Sequence, residues 1–140
     1  MVAVTVALLL VERYVVTPKE EIENVLQVIA RDLESNEQET ILAHISSSKP
    51  DLRSRAERAL KPVVVDRVVV KRNLVVEFDS LESPQRAKAS FNAVIVGSEK
   101  TGTIRNQTSP WYFIVDFVKE DSQWRVADYE KQLPTAGMRK

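Results

Sequence analysis

The sequence predicts an α+β domain in which helices from the first half pack on a twisted antiparallel sheet from the second. Two observations carry this. Between Thr17 and Pro62, apolar residues recur at three- and four-residue steps, the period of helices with one buried side. From Val63 onward the texture changes to β-branched and aromatic runs with short polar breaks, the pattern of consecutive strands. Length agrees: 140 residues make one domain, and 44% hydrophobic with 29% charged residues is a folding composition.

The elements follow in order. Thr17-Pro18-Lys19-Glu20 is a helix start, with Thr to cap, Pro for the first helical position and Glu to return the bond. Ile22, Val25, Leu26, Ile29 and Leu33 then form one stripe on a helix of about 18 residues ending near Ser35-Asn36. Asn36, with Glu39 as its box partner, opens a second helical unit carrying Ile41, Leu42 and Ile45. Pro50-Asp51 opens a third, apolar at Leu52, Ala56, Ala59 and Leu60, and stopped by Pro62. The valine runs 63–65 and 68–70 and the segment Leu74-Val75-Val76 are strand-like, with a turn or bulge at Arg72-Asn73. Later strands are expected at about Ala87–Val96, Trp111–Lys119 and Gln123–Glu130. Gly97–Pro110 reads as a polar connection or a hairpin tip near Gly102.

Composition excludes several classes of function. Without cysteine there is no disulfide scaffold, thiolate zinc site or cysteine nucleophile. A single histidine rules out a multi-histidine metal centre, and no metal or other cofactor is expected. A net charge of +0 gives no global field for nucleic acid. Arg53, Arg55, Arg58 and Lys61 make a basic strip on the third helix, but no aromatic residue is interleaved for stacking, and a solvated face is the simpler reading. The three glycines form no phosphate loop, and Asn106-Gln107-Thr108 matches a glycosylation pattern that arises readily by chance.

The amino end is apolar and uncharged from Met1 to Val11, short of the roughly 20 residues of a membrane span and without a signal peptide's basic start. It reads as the remnant of a membrane helix, a short interfacial anchor, or an extension packed on the domain. The division is therefore 1–16 as apolar extension or anchor remnant, 17–132 as the domain and 133–140 as tail. The first two readings associate the chain with a membrane; the third leaves a cytoplasmic domain.

The carboxyl end carries a motif. Phe117-Val118-Lys119-Glu120-Asp121-Ser122-Gln123-Trp124-Arg125-Val126, followed by Ala127-Asp128-Tyr129, resembles the final hairpin of the nuclear transport factor 2-like superfamily, which includes SnoaL-like and ketosteroid isomerase-like domains of cystatin-like fold. The order of helices then strands is similar, and the resemblance spans roughly Thr17 to Gln132. It implies a cone: a curved sheet wrapped on the first helix, with a pocket between sheet and helices. The small strand pair that many members carry between the second and third helices has no counterpart in this sequence. Members include isomerases, hydrolases, cyclases and assembly domains, so the fold alone does not fix the function.

Candidate site residues follow from alternation along the last hairpin. With Phe117 opposite Val126, the side chains of Trp111, Phe113, Val115, Phe117, Trp124, Val126 and Asp128 share one face, turned toward the helices. Trp111, Phe113, Phe117, Trp124, Val126 and Asp128 are the expected pocket lining. Asp128 is the candidate acid or base there; the alternative is a strand-end carboxylate meeting water or a helix. Asp66 is a second candidate inner carboxylate, or a strand-end partner of Arg67 or Arg72. His44 is a lone histidine on the second helix. Ketosteroid isomerase-type catalysis uses an inner Asp with a Tyr and acid pair, but Tyr14, Tyr112 and Tyr129 fall in no matching motif, nor does an Asp-Arg-Asp set of the limonene-epoxide hydrolase type. The leading expectation is thus a non-catalytic domain that binds a small molecule or assembles with protein; the alternative is a small isomerase or hydrolase using Asp128. The opposite face of the sheet presents Tyr112, Ile114, Val118, Val94 and Val96, broken by Asp116, Asn92 and Ser90, and predicts a homodimer unless the amino-terminal extension covers it.

Overall fold

The computed structural model describes residues 17–135. Three helices, α1 (Pro18–Ser35), α2 (Gln38–Leu42) and α3 (Pro50–Leu60), precede five strands: β1 (Val63–Val70), β2 (Val75–Phe78), β3 (Arg86–Glu99), β4 (Gln107–Glu120) and β5 (Gln123–Gln132). All strand pairs are antiparallel, in the order β1-β3-β4-β5, and β2 joins the same side of β3 as β1.

Thr17 caps α1 as its sequence demands, its side chain accepting from the Glu20 amide at 3.2 Å, with Pro18 at the first turn. The buried stripe centres on Ile22, Leu26 and Ala30, flanked by half-buried Val25 and Ile29. Asn36 departs from expectation. It does not open α2, whose N-cap is Glu37. It closes α1 in the left-handed conformation, φ 59°, its amide donating to the Leu33 carbonyl. Asparagine tolerates that conformation better than most residues, and its side chain is then freed for another partner.

The valine-rich segment forms one strand, β1, with a bulge: pairing steps from Val65↔Gly97 to Arg67↔Val96, leaving Asp66 as the extra residue. The chain leaves the sheet after Val70 and returns as β2, so the break falls where Arg72-Asn73 was expected to interrupt it. Strands β3 and β4 are each 14 residues long, running further than their sequence pattern indicated. The connection is accordingly a hairpin tip at 100–106, where Gly102 takes φ +78°.

One face of the sheet builds the core. Ala87, Ala89, Phe91 and Ala93 on β3 lie opposite Phe117, Val115, Phe113 and Trp111 on β4. Mostly small against large, these pairs leave room for Ile22 and Leu26 of α1 and Leu52 and Ala56 of α3. Phe117 is 2% exposed and Trp124 4%. The Trp124 indole donates to Glu21 at 2.9 Å, tying β5 to the first turn of α1.

Where many members of the resembling superfamily carry a strand pair between the second and third helices, the described residues of this chain form a parallel bridge, Ile45↔Val126. Ser46, 1% exposed, donates from its hydroxyl to Glu120 and secures this crossing. Among the described residues no helix is long and apolar enough to cross a membrane. The apolar run Met1–Val11 lies outside them.

Candidate functional site

A cleft of about 850 Å³ opens between α3 and a strip crossing the ends of β2, β3, β4 and β5. That volume falls within the usual range for small-molecule sites, roughly 300–1,000 Å³. Leu52, Phe78, Ala87 and Phe117 supply its apolar lining; Lys49, Arg55, Arg58, Arg86 and Lys88 supply cations, and Asp51, Glu77, Asp79, Asp116 and Asp128 acids.

The helix contributes through its spacing. Asp51, Arg55 and Arg58 follow at four- and three-residue steps, so they share a side of α3 next to buried Leu52. Arg55 reaches across to β5, donating to Asp128 at 3.0 Å and to the Tyr129 carbonyl at 3.0 Å, with its guanidinium 4.7 Å from the Tyr129 ring centre. Burial works against the Arg55 charge, but the bonds to Asp128 and Tyr129 outweigh it and raise the pKa. Asp79 accepts from the backbone amides of Gln85 and Arg86 at 3.0 and 3.1 Å. The Arg86 amide, more than any other group, holds that carboxyl below the usual carboxylate range.

The expected site residues divide. Phe117 and Asp128 line the cleft. Trp124 and Val126 are buried in the core, and Phe113 stacks on Phe91 at 5.8 Å. Trp111 lies instead beside a smaller apolar groove of about 500 Å³ with Pro110, Val94 and Pro134, its ring covered by Lys131 at 4.4 Å.

Of the two places expected for Asp128, the structure gives the one that meets water and a helix. Phe117 pairs with Val126 as expected, but the next register step is Asp116↔Asp128, which makes Ala127 an extra, bulged residue. The bulge reverses the alternation, so half-buried Tyr129 packs against the core and Asp128 comes to the rim, its side chain 62% exposed. Asp66 is likewise no inner carboxylate: its bulge leaves it exposed, and it accepts from Ser98 at 2.9 Å instead of pairing with Arg67 or Arg72. His44 is half-buried against Asp32 of α1, at 2.5 Å, away from the cleft. Of the basic strip, Arg53 donates to the Leu42 carbonyl while Arg55 and Arg58 turn to the cleft. Sequence reading missed Leu52, Phe78 and Arg86 as cleft residues; the spacing of Asp51, Arg55 and Arg58 was the available signal for α3. Among the described residues no group of three or more His, Asp or Glu is arranged to hold a metal ion.

No protein-family model and no curated protein matches this sequence. Solved structures do. A protein assigned as a calcium/calmodulin-dependent protein kinase II association domain, from Xanthomonas campestris, aligns over 84% of this chain and 91% of its own, with TM-score 0.61 at 10% identity. A protein of unknown function with a cystatin-like fold, from Nostoc punctiforme, aligns over 83% and 93%, with TM-score 0.56 at 14% identity. A nuclear transport factor 2-like protein of unknown function, from Shewanella oneidensis, aligns over 82% and 98%, with TM-score 0.55 at 10% identity. At these identities the likeness is one of fold: the chain has the nuclear transport factor 2-like α+β architecture.

Proposed function

We propose that this domain is a non-catalytic binding module, taking a small molecule in the cleft beneath α3 and assembling with a second copy through the opposite face of its sheet. The observation that carries the reading is the state of Asp128. The carboxylate that could have acted as base accepts from Arg55 and, through the same oxygen, from the Tyr129 amide at 2.8 Å. The pair holds that carboxylate at the rim with its side chain 62% exposed, outside any water-excluded pocket of the kind acid–base chemistry uses. The cleft around it sets Leu52, Phe78, Ala87 and Phe117 among ten charged residues, and its volume is that of a small-molecule site.

Assembly is supported by the outer face. By strand alternation Val94, Tyr112, Ile114 and Val118 share it, each half-buried, and Val75 on β2, 51% exposed, lies in the same set through its pairing with Ser90. Apolar residues on the solvent side of an antiparallel sheet usually mark an interface. The apolar run Met1–Val11 would add association with a lipid surface.

Two experiments test this reading. Sedimentation of the full chain at about 100 μM, well above a micromolar dissociation constant, is expected to give a dimer, and Ile114→Lys a monomer; a wild-type monomer contradicts assembly. A thermal-shift screen of small amphiphiles is expected to stabilise the protein without turnover. A compound converted by the wild type and untouched by Asp128→Asn would establish the enzyme reading instead.

A further inference from the structure

We infer that the outer edge of β2 docks an extended peptide of another protein, one reading apolar–basic–apolar, which pairs with the Val76 and Phe78 backbone as a further strand. This goes beyond the cleft and does not depend on what the cleft holds.

The register decides which backbone groups point outward. The Asp79 amide donates to the Arg86 carbonyl at 3.2 Å, and the Lys71 amide to the Asn92 carbonyl at 2.8 Å. Bonded and non-bonded pairs alternate along an antiparallel ladder, so Glu77↔Lys88 and Val75↔Ser90 are the bonded pairs between β2 and β3. The amides and carbonyls of Val76 and Phe78 then point away from the sheet. Among the described residues no partner bonds to them.

The other two edge strands are treated differently. On β1, the Val65 amide and carbonyl both bond the Asn36 side chain, and the Val68 amide donates to Glu34. On β5, the Val126 amide donates to the His44 carbonyl, and its carbonyl accepts from the Ser46 amide. The Tyr129 amide donates to Asp128, and its carbonyl accepts from Arg55. Side chains and a crossing segment stand there in place of a neighbouring strand. The edge of β2 presents bare donors and acceptors, the template for strand addition.

The side chains of β2 name the partner. Val76 and Phe78 are half-buried against the core. Residues opposite them on an added strand share that face, so burial favours an apolar residue at both places. Between them, on the other face, Glu77 is exposed and begins the row Glu77↔Lys88↔Asp116. A basic residue opposite Glu77 extends that row with its signs still alternating; an acidic one sets two carboxylates side by side. A second copy's β2 is the poorer occupant, because it offers Glu77 where the basic residue belongs.

The test is amide hydrogen exchange of the full chain, read by NMR, with an acetylated and amidated peptide Thr-Val-Lys-Val-Thr at about 1 mM, a concentration suited to a weak contact. Exchange at Val76 and Phe78 is expected to slow about tenfold, as for a ligand at roughly ten times its dissociation constant. Val75 and Glu77, already bonded to β3, should not change. The same peptide N-methylated at both valines keeps its side chains, loses its donors and should protect nothing. Glu in place of the peptide's Lys should abolish protection, and Glu77→Lys should restore it for that acidic peptide, which also shows the variant folded. Protection by the N-methylated peptide, or none by the parent, would overturn the inference. So would protection of Val76 and Phe78 without peptide: a rise with protein concentration would give the edge to a second copy, and a constant level would give it to this chain itself. Protection centred on α3 would place the peptide in the cleft, overturning the edge inference and leaving the cleft reading standing.

Discussion

Asn36 and Val65 exchange two hydrogen bonds: the Val65 amide donates to the Asn36 side-chain oxygen at 2.7 Å, and the Asn36 side-chain nitrogen donates to the Val65 carbonyl at 2.9 Å. A side-chain amide here does the work of a neighbouring strand. It covers the free edge of β1 at the point where the Asp66 bulge begins, and Glu34 continues the cover by accepting from the Val68 amide at 2.9 Å. At the other edge of the sheet, Val126 is bonded by the backbone of His44 and Ser46, and Arg55 caps Tyr129.

Asn36→Ala is therefore expected to cost roughly 2–4 kcal/mol, from two hydrogen bonds and the loss of a residue suited to positive φ. Asn36→Gly keeps the backbone freedom and should recover about 1 kcal/mol of that cost. Urea unfolding of both variants checks the pair; equal stabilities would show that the left-handed cap contributes nothing.

Trp124→Ala should cost roughly 3–5 kcal/mol, the range for a large buried aromatic. Trp124→Phe keeps most of the apolar volume but leaves Glu21 without its indole donor, so it should fall between alanine and wild type. A loss below about 1 kcal/mol for alanine would mean that Trp124 does not anchor β5 on α1.

Asp79 makes stability depend on pH. Its folded pKa lies below the unfolded value, chiefly through the Arg86 amide, so the ionised form stabilises the fold above the unfolded pKa of about 3.9 and this is lost as pH falls through the folded pKa. Wild type should be more stable than Asp79→Asn at pH 7, and the gap should close in acid. Chemical denaturation at a series of pH values measures it; a gap independent of pH would contradict the assignment.

Arg55 and Asp128 should couple weakly. Their side chains are 51% and 62% exposed, so solvent screens the pair, and a double-mutant cycle with Arg55→Gln and Asp128→Asn should return about 1 kcal/mol or less. A much larger coupling would place Asp128 in a desolvated site and reopen the catalytic reading.

The helices were legible because their signals are local. Thr17-Pro18 caps and the Ile22–Leu26 stripe act within a few residues. The Phe117↔Val126 pair was legible too, since a short turn fixes the register. The two bulges were not. One extra residue reverses inward and outward positions, and neither Asp66 nor Ala127 is a glycine or proline that would mark it. Asp128 moved from the inner face to the rim on that account. The cleft was half legible: its Phe117 lining came from alternation, whereas α3 and the start of β3 border it only through tertiary packing.

The most direct test of the binding account is an NMR titration of the full chain with a small amphiphile that stabilises it in the thermal-shift screen, following backbone amides. The account predicts shifts concentrated at Leu52, Arg55, Arg58, Phe78, Arg86, Ala87, Phe117 and Asp128, with the outer-face residues Val94, Tyr112 and Ile114 unmoved. Shifts confined to that outer face, or centred on Trp111 and Pro134, would contradict it.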